Sequence, residues 1–274
     1  MPPAPRFETL VLSAADAVAV LELNRPEKAN AMDLRMWAEI GAAMAWIDEA
    51  AAVRVAVIRG AGKHFCAGID LDLLRGVREQ VADPCPGRAA EKLRRLILEM
   101  QDALNAIERC RKPVLAAVHG MCVGAGVDLV AACDMRYCVL DAQFSIREVD
   151  VGMAADLGTL QRLPRLIGEG MARELAYTGR NVSGAEAKEI GLANRCYIDG
   201  ATLLQETAAL AATIAAKSPL AVRGCKEMIT YARDHSIADG LNYVATWNAA
   251  MLMSADIAEA IDAARERREP RFRD

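Results

Sequence analysis

Apolar residues come in short runs separated by longer amphipathic stretches through the first 200 residues, and then in helical spacing almost to the end. Val18–Asn24 reads as a strand closed by Arg25-Pro26. From Asp33 to Ala50, residues Leu34, Trp37, Ile40, Ala43, Met44 and Ile47 recur at helical spacing. Arg54–Arg59 predicts the next strand, ending in Gly60-Ala61-Gly62. The pattern breaks between Gly76 and Arg88, where Pro84 and Pro86 predict a mobile loop, and a long helix resumes over Arg88–Arg109. Pro113–Val118 predicts a buried strand, followed by a glycine-rich bend and a helix from about Gly124 to Cys133. Strands are predicted at Met135–Leu140, Gln143–Val149 and Asn194–Ile198, with helices beginning near Asp156, Met171 and Ser183. Four helices, over roughly 202–216, 219–233, 236–252 and 254–268, complete the chain. This order predicts an α/β core (1–200) carrying a helical C-terminal module (201–274).

Composition narrows the class. The chain has 274 residues and is 53% hydrophobic, enough to offset its ordering entropy and exclude intrinsic disorder. A formal net charge of -4 gives no bulk field for nucleic acid or an anionic membrane, and 4% aromatic residues argue against a base-stacking platform. Apolar helical stretches such as Ala208–Ala216 fall far short of the ~20 residues that a membrane span needs. The opening residues lack an apolar leader segment, and the eight cysteines show no paired spacing. Reduced thiols and a cytoplasmic location are the resulting expectations. His64, His119 and His235 lack ligand spacing, so no metal is expected, and Cys66 has no evident paired base.

Several segments carry more specific information. LNRPEKANAM (Leu23–Met32), HFCAGIDL (His64–Leu71), KPVLAAVHGMCVGAGVDLVAACDMRY (Lys112–Tyr137), QFSIREVDVGMAADLGTLQRLPRLIG (Gln143–Gly168) and TGRNVSGAEAKEIGLANR (Thr178–Arg195) follow one another along the chain. Together they resemble the crotonase, or enoyl-CoA hydratase/isomerase, superfamily. The combination of Asp128, Glu148 and Asp156 resembles its dienoyl-CoA isomerases. The resemblance implies a crotonase (ClpP-like) spiral of ββα repeats with a C-terminal trimerisation module, assembled as a homotrimer or a dimer of trimers. It also implies conversion of a 3,5-dienoyl-CoA to a 2,4-dienoyl-CoA in fatty-acid beta-oxidation. Enoyl-CoA hydratase is the alternative activity, and a non-catalytic acyl-CoA binder is a third. No cofactor is implied beyond the coenzyme A of the substrate.

The residues themselves suit such chemistry. Small residues let a ligand approach the backbone, and a helix start presents unpaired N–H groups to negative charge. The resemblance places the oxyanion donors at the N–H groups of Ile69 and Ala125, flanked by Gly68 and Gly124; the family commonly has glycine where Ala125 stands. It makes Glu148 the base at C2 and Asp156 the acid at C6, with Asp128 orienting them. Locally, Asp156 suits a helix N-cap and Glu148 a surface pair with Arg147 or Arg162. Asp128 lies in a run otherwise fit for full burial, where an acid needs a partner or a function. Arg25 and Lys28 suit coenzyme A phosphates, Ala67 offers backbone groups to the adenine, and the Arg265–Arg273 run resembles the tail that approaches coenzyme A.

Overall fold

The computed structural model describes residues 4–274; the opening Met1–Pro3, part of the segment read for a leader, lies outside the described residues. Strands β1 (Leu10–Ala15) and β2 (Val18–Leu23) form an antiparallel hairpin. Both turn residues, Asp16 and Ala17, have positive φ, the backbone that matches the twist of paired strands in a two-residue turn. Helix α1 (Leu34–Glu49) begins where Asp33 accepts a bond from the Met36 N–H. Strand β3 (Val55–Gly60) follows, then α2 (Leu71–Gln80) and α3 (Pro86–Arg109). The break expected at 76–88 is therefore shorter than predicted. Gly76 lies inside α2, and residues 81–85 make the connection.

The next elements are β4 (Val114–Val118), β5 (Met121–Val123), α4 (Ala125–Ala132), β6 (Met135–Val139) and β7 (Gln143–Ser145). They are followed by α5 (Thr159–Ile167), α6 (Glu169–Thr178), β8 (Val182–Ser183), α7 (Gly184–Glu189) and β9 (Arg195–Tyr197). The chain closes with α8 (Gly200–Ala215), α9 (Pro219–Tyr231), α10 (Ile237–Met251) and α11 (Ala255–Glu266).

Six strands form one sheet in the order β1-β2-β3-β4-β6-β9, parallel from β2 onward. β5, β7 and β8 form a second, small sheet. The chain therefore winds as a spiral: β4 enters the large sheet, β5 the small one, and α4 returns; β6, β7 and α5 repeat the circuit. The turn from β3 does the same in reduced form, its second strand being a single bridge between Cys66 and Cys122.

β3 and β4 are buried along nearly their whole length, as strands covered on both faces must be. One cover is α1 packed on α3, whose Leu96, Met100, Ala103, Leu104 and Ile107 share a buried stripe. The other is α8, which lays Leu203, Thr207, Ala211 and Ala215 against the sheet. α9 to α11 are different: Ile229 on α9, Ile237 and Leu241 on α10, Leu252 and Met253 in the connection after it, and Ile261 on α11 all stand exposed. Among the described residues no helix is long and apolar enough to cross a membrane.

Candidate active site

The segment 66–69 runs beside β5. Cys66 N–H donates to Met121 O and Val123 N–H to Cys66 O, both at 2.9 Å. On its other side, Met32 N–H donates to Gly68 O and Asp70 N–H to Met32 O, which leaves the Ile69 N–H turned away from that bridge. Gly68 has φ +96, and a Cβ there would lie 2.9 Å from Val123 O and 3.6 Å from Ala125 N. Gly124 has φ 53 and ψ -119, a backbone that side chains rarely adopt, and it places Ala125 at the first position of α4. The N–H groups of Ile69 and Ala125 thus stand near each other, and neither has a protein acceptor among the described residues. Ala125 is buried, so its methyl group is already accommodated.

Glu148 faces this pair from the other side of Gly124. A Cβ on Gly124 would meet Glu148 Oε1 at 3.1 Å and Gly68 Cα at 3.9 Å. The strand expected over Gln143–Val149 ends at Ser145, because Glu148–Val151 forms a 3-10 turn that swings the carboxyl inward. The expected surface pairs do not form: Arg147 bonds Ser145 Oγ and Asn181, and Arg162 pairs with Glu108. Glu148 Oε2 is buried without a partner. Burial pushes the carboxyl up to about 7, its own backbone amide opposing and the charges of Asp128 and Asp156 adding to the rise.

Asp128 is 1% exposed on α4, and its Oδ1 accepts the Thr159 N–H at 2.6 Å. It therefore satisfies the first turn of α5, a task the sequence offered to Asp156. Burial raises Asp128 to about 6, opposed by Thr159, while Asp156 adds repulsion and Arg162 relieves it. The N-cap position of α5 is Gly158, and Asp156 stands two residues earlier with its carbonyl bonded by Gln101 Nε2 at 2.6 Å. Burial raises the Asp156 carboxyl too. Three carboxyls, each disfavoured as an anion and sensing one another, share one region; this is an arrangement for holding and moving protons near neutral pH.

The outer contacts differ from expectation. Arg25 is committed inward, to Asp70 at 3.0 Å, Asp33 at 3.4 Å and Ala31 O at 2.5 Å, so it organises the 25–31 loop. Lys28 is exposed and, among the described residues, pairs with Asp72 at 3.3 Å. Ala67 spends its N–H on Ala29 O, which leaves its carbonyl for a ligand. In the tail, Arg268 pairs with Glu259 and Glu266, and Arg54 Nη2 holds Phe272 O, so this stretch is tied to the rest of its own chain. Cys66 is fully buried and its thiol is pushed up to about 12, which removes it as a nucleophile. His64 Nδ1 accepts the Met121 N–H, and His119 Nε2 lies 3.0 Å from Gly62 O, both within loop packing. Sequence reasoning missed Gln101, which holds Asp156 O, and Asn105, which holds Arg162; it also paired Arg162 with Glu148, whereas its guanidinium reaches Leu157 O in the 156–158 loop.

A family model described as enoyl-CoA hydratase/isomerase matches residues 13–274. The Delta(3,5)-Delta(2,4)-dienoyl-CoA isomerase, peroxisomal, of Arabidopsis thaliana is 49% identical over 267 residues, 97% of this chain and 96% of that protein. The mitochondrial Delta(3,5)-Delta(2,4)-dienoyl-CoA isomerase of Homo sapiens is 47% identical over 270 residues, covering 96% and 81%. The crystal structure of an enoyl-CoA hydratase from Bacillus anthracis superposes with a TM-score of 0.88 at 31% identity, covering 97% of this chain and 99% of that one. The cytoplasmic expectation is corrected by these relatives, which are named for the peroxisome and the mitochondrion. Composition and the character of the opening residues bear on secretion and do not separate one internal compartment from another. With both the spiral and the extent of these matches in hand, the chain belongs to the enoyl-CoA hydratase/isomerase family.

Proposed function

We propose that this protein isomerises a 3,5-dienoyl-CoA thioester to the 2,4-dienoyl-CoA. The observation that carries the reading is the Glu148 carboxyl, with one buried oxygen unpartnered, set across Gly124 from two free N–H groups. The thioester oxygen sits on the Ile69 and Ala125 N–H groups, which stabilise the charge that develops there as the substrate enolises. Glu148 takes the proton from C2, and the electron pair moves through the two double bonds. Asp156 delivers a proton at C6, leaving the new double bonds in conjugation with the thioester. Asp128 holds α5, and with it the Asp156 loop, through Thr159. The reaction moves protons and double bonds only, so it balances without any further cofactor. Gly68 and Gly124 admit the thioester to the backbone, Lys28 meets a phosphate of coenzyme A, and the Ala67 carbonyl faces its adenine; Arg25 supports these from behind.

Relatives named for dienoyl-CoA isomerisation at 47–49% identity support this reading over hydration. So does the position of Asp156, which a hydratase would leave as a helix cap and which caps nothing here. The test compares conversion of a 3,5-dienoyl-CoA with water addition to a 2-enoyl-CoA by the wild type and D156N. Loss of diene conversion in D156N is expected. Near-full isomerase activity in that variant, or a wild type that only hydrates, refutes the assignment.

The apolar residues left exposed on α9 to α11 support assembly through the 201–274 module, as a homotrimer or a pair of trimers. Light scattering on the purified protein, giving the mass of a monomer at micromolar concentration, would count against it.

A further inference from the structure

A cavity of about 450 Å³ lies behind Asp156, bounded by Gln101, Asn105, Glu108, Gly158, Arg162 and Arg233 among others. Much of its charge is paired: Glu108 accepts from both Arg162 and Arg233, Asp234 from Arg165, and Asp134 from Lys226. What the cavity wall does have is a clamp. Gln101, Asn105 and Glu108 follow one another at helical spacing on α3 and so share a face. Gln101 holds Asp156 O, Asn105 Oδ1 accepts Arg162 Nη2 at 2.8 Å, and Glu108 Oε2 accepts the same nitrogen at 3.0 Å. Arg162 lies across the loop so closely that a Cβ on Gly158 would fall 1.8 Å from its Nη1. The 156–158 loop is thus held between α3 and a largely buried guanidinium.

We propose that Arg162, fixed by Asn105 and Glu108, is a positioning residue for the isomerisation: it seats the loop that carries Asp156. This rests on the isomerase reading above. The groups facing Asp128 are the Thr159 N–H and Arg162 from α5, Asp156 from the loop, Glu148 from the 3-10 turn and the Cys122 thiol from β5. Glu108 and Arg233 stand behind Arg162. Of these, Arg162 is the cation that favours ionised Asp128. Gly158 is explained as well, since any side chain there would displace the guanidinium.

The test uses R162M and R162K in the full-length protein. R162M is expected to lower kcat about 10- to 100-fold with KM changed less than about twofold, since a small misplacement of a reacting group costs rate rather than binding. The same substitution in a D156N background should add no further loss, because Arg162 acts through that loop. Carbon-13 carboxyl titration of labelled aspartates, with Asp128 assigned by its absence in D128N, should show its midpoint move up in R162M and stay in place in R162K. The lysine keeps the charge and loses the fork, so R162K should lose kcat alone. An R162M protein with unchanged kcat and an unmoved Asp128 titration overturns the proposal. Should R162M not fold, R162Q removes the same charge while keeping an amide for Asn105, and is read the same way. The titration needs no turnover, so a wild type that fails to convert the dienoyl thioester would refute the isomerase reading and leave the titration to decide Arg162.

Discussion

Glu148→Gln separates what this carboxyl does for the reaction from what it costs the fold. The side chain keeps its shape and loses its charge. Folding raises the Glu148 carboxyl from 4.5 to about 7, burial being the main cause. Below pH 4.5 the group is neutral in both folded and unfolded chains, so burying it costs no charge. As pH rises through the window from 4.5 to about 7, the unfolded chain gives up the proton first and the folded protein loses stability. The loss is complete above the folded value, and the size of the shift makes it about 2–3 kcal/mol after allowing for partial exposure. Glutamine does not titrate. E148Q should therefore melt close to the wild type at pH 4.5 and several degrees above it at pH 8, at about 2–4 °C per kcal/mol for a chain of this size. In the same variant, conversion of a 3,5-dienoyl-CoA, followed by the ultraviolet absorbance of the conjugated product, should fall about 10²- to 10⁴-fold. Equal melting differences at both pH values would refute the account of Glu148 as a buried, unpartnered acid. Retained activity would refute its role as the base.

Three further outcomes follow from the same geometry. The acid limb of kcat/KM should have its midpoint near pH 7, because Glu148 must be ionised to take the C2 proton; activity at pH 6 should be about a tenth of the plateau, and a profile flat to pH 5 would exclude Glu148 as the base. Gly124→Ala should cost about 1–3 kcal/mol for its backbone conformation and push Glu148 Oε1 aside, so thermal melts and kcat should fall together; a variant unchanged in both would refute the contact. Lys112→Met removes a buried Nζ that donates to Ile47 O at 2.7 Å and Ala50 O at 2.6 Å, so it should lower stability by about 1–3 kcal/mol in denaturant titration without changing the pH midpoint of activity.

The long elements were readable because local pattern decides them. Asp33 with Leu34, Trp37, Ile40 and Ile47 specifies α1 down to its cap, and the apolar runs at Arg54–Arg59 and Pro113–Val118 specify strands that need cover on both faces. β5 and β8 have three and two residues, too few for a period, and exist only because distant partners pair with them. The strand drawn through Val149 failed for the same reason, since its ladder partner β5 ends opposite Ser145. The acids were visible by family resemblance. Their partners were not: Asp128 caps a helix 31 residues away, and Arg162 meets Glu108 across 54. No local signal marks such pairs. The commitment of Arg25 to Asp70 and Asp33 was hidden likewise, because it depends on where the 66–70 segment folds back.

Strands β5 and β7 are hydrogen-bonded neighbours, and each leads out of the small sheet into one half of the site. β5 runs into the Ala125 N–H, and β7 runs into Glu148, with the Gly124 N–H donating to Ser145 O to close the end of the ladder. Paired backbones repeat at ~4.8 Å, so the ladder fixes the two chain paths that leave it, one toward the Ala125 N–H and one toward the Glu148 turn. Such a ladder separates what is fixed from what can change: the Ala125 side is set by paired backbone, while the stretch after β7, from Glu148 to Asp156, lies outside the ladder. Substitutions among those nine positions should change the carboxyls and leave the backbone donors in place.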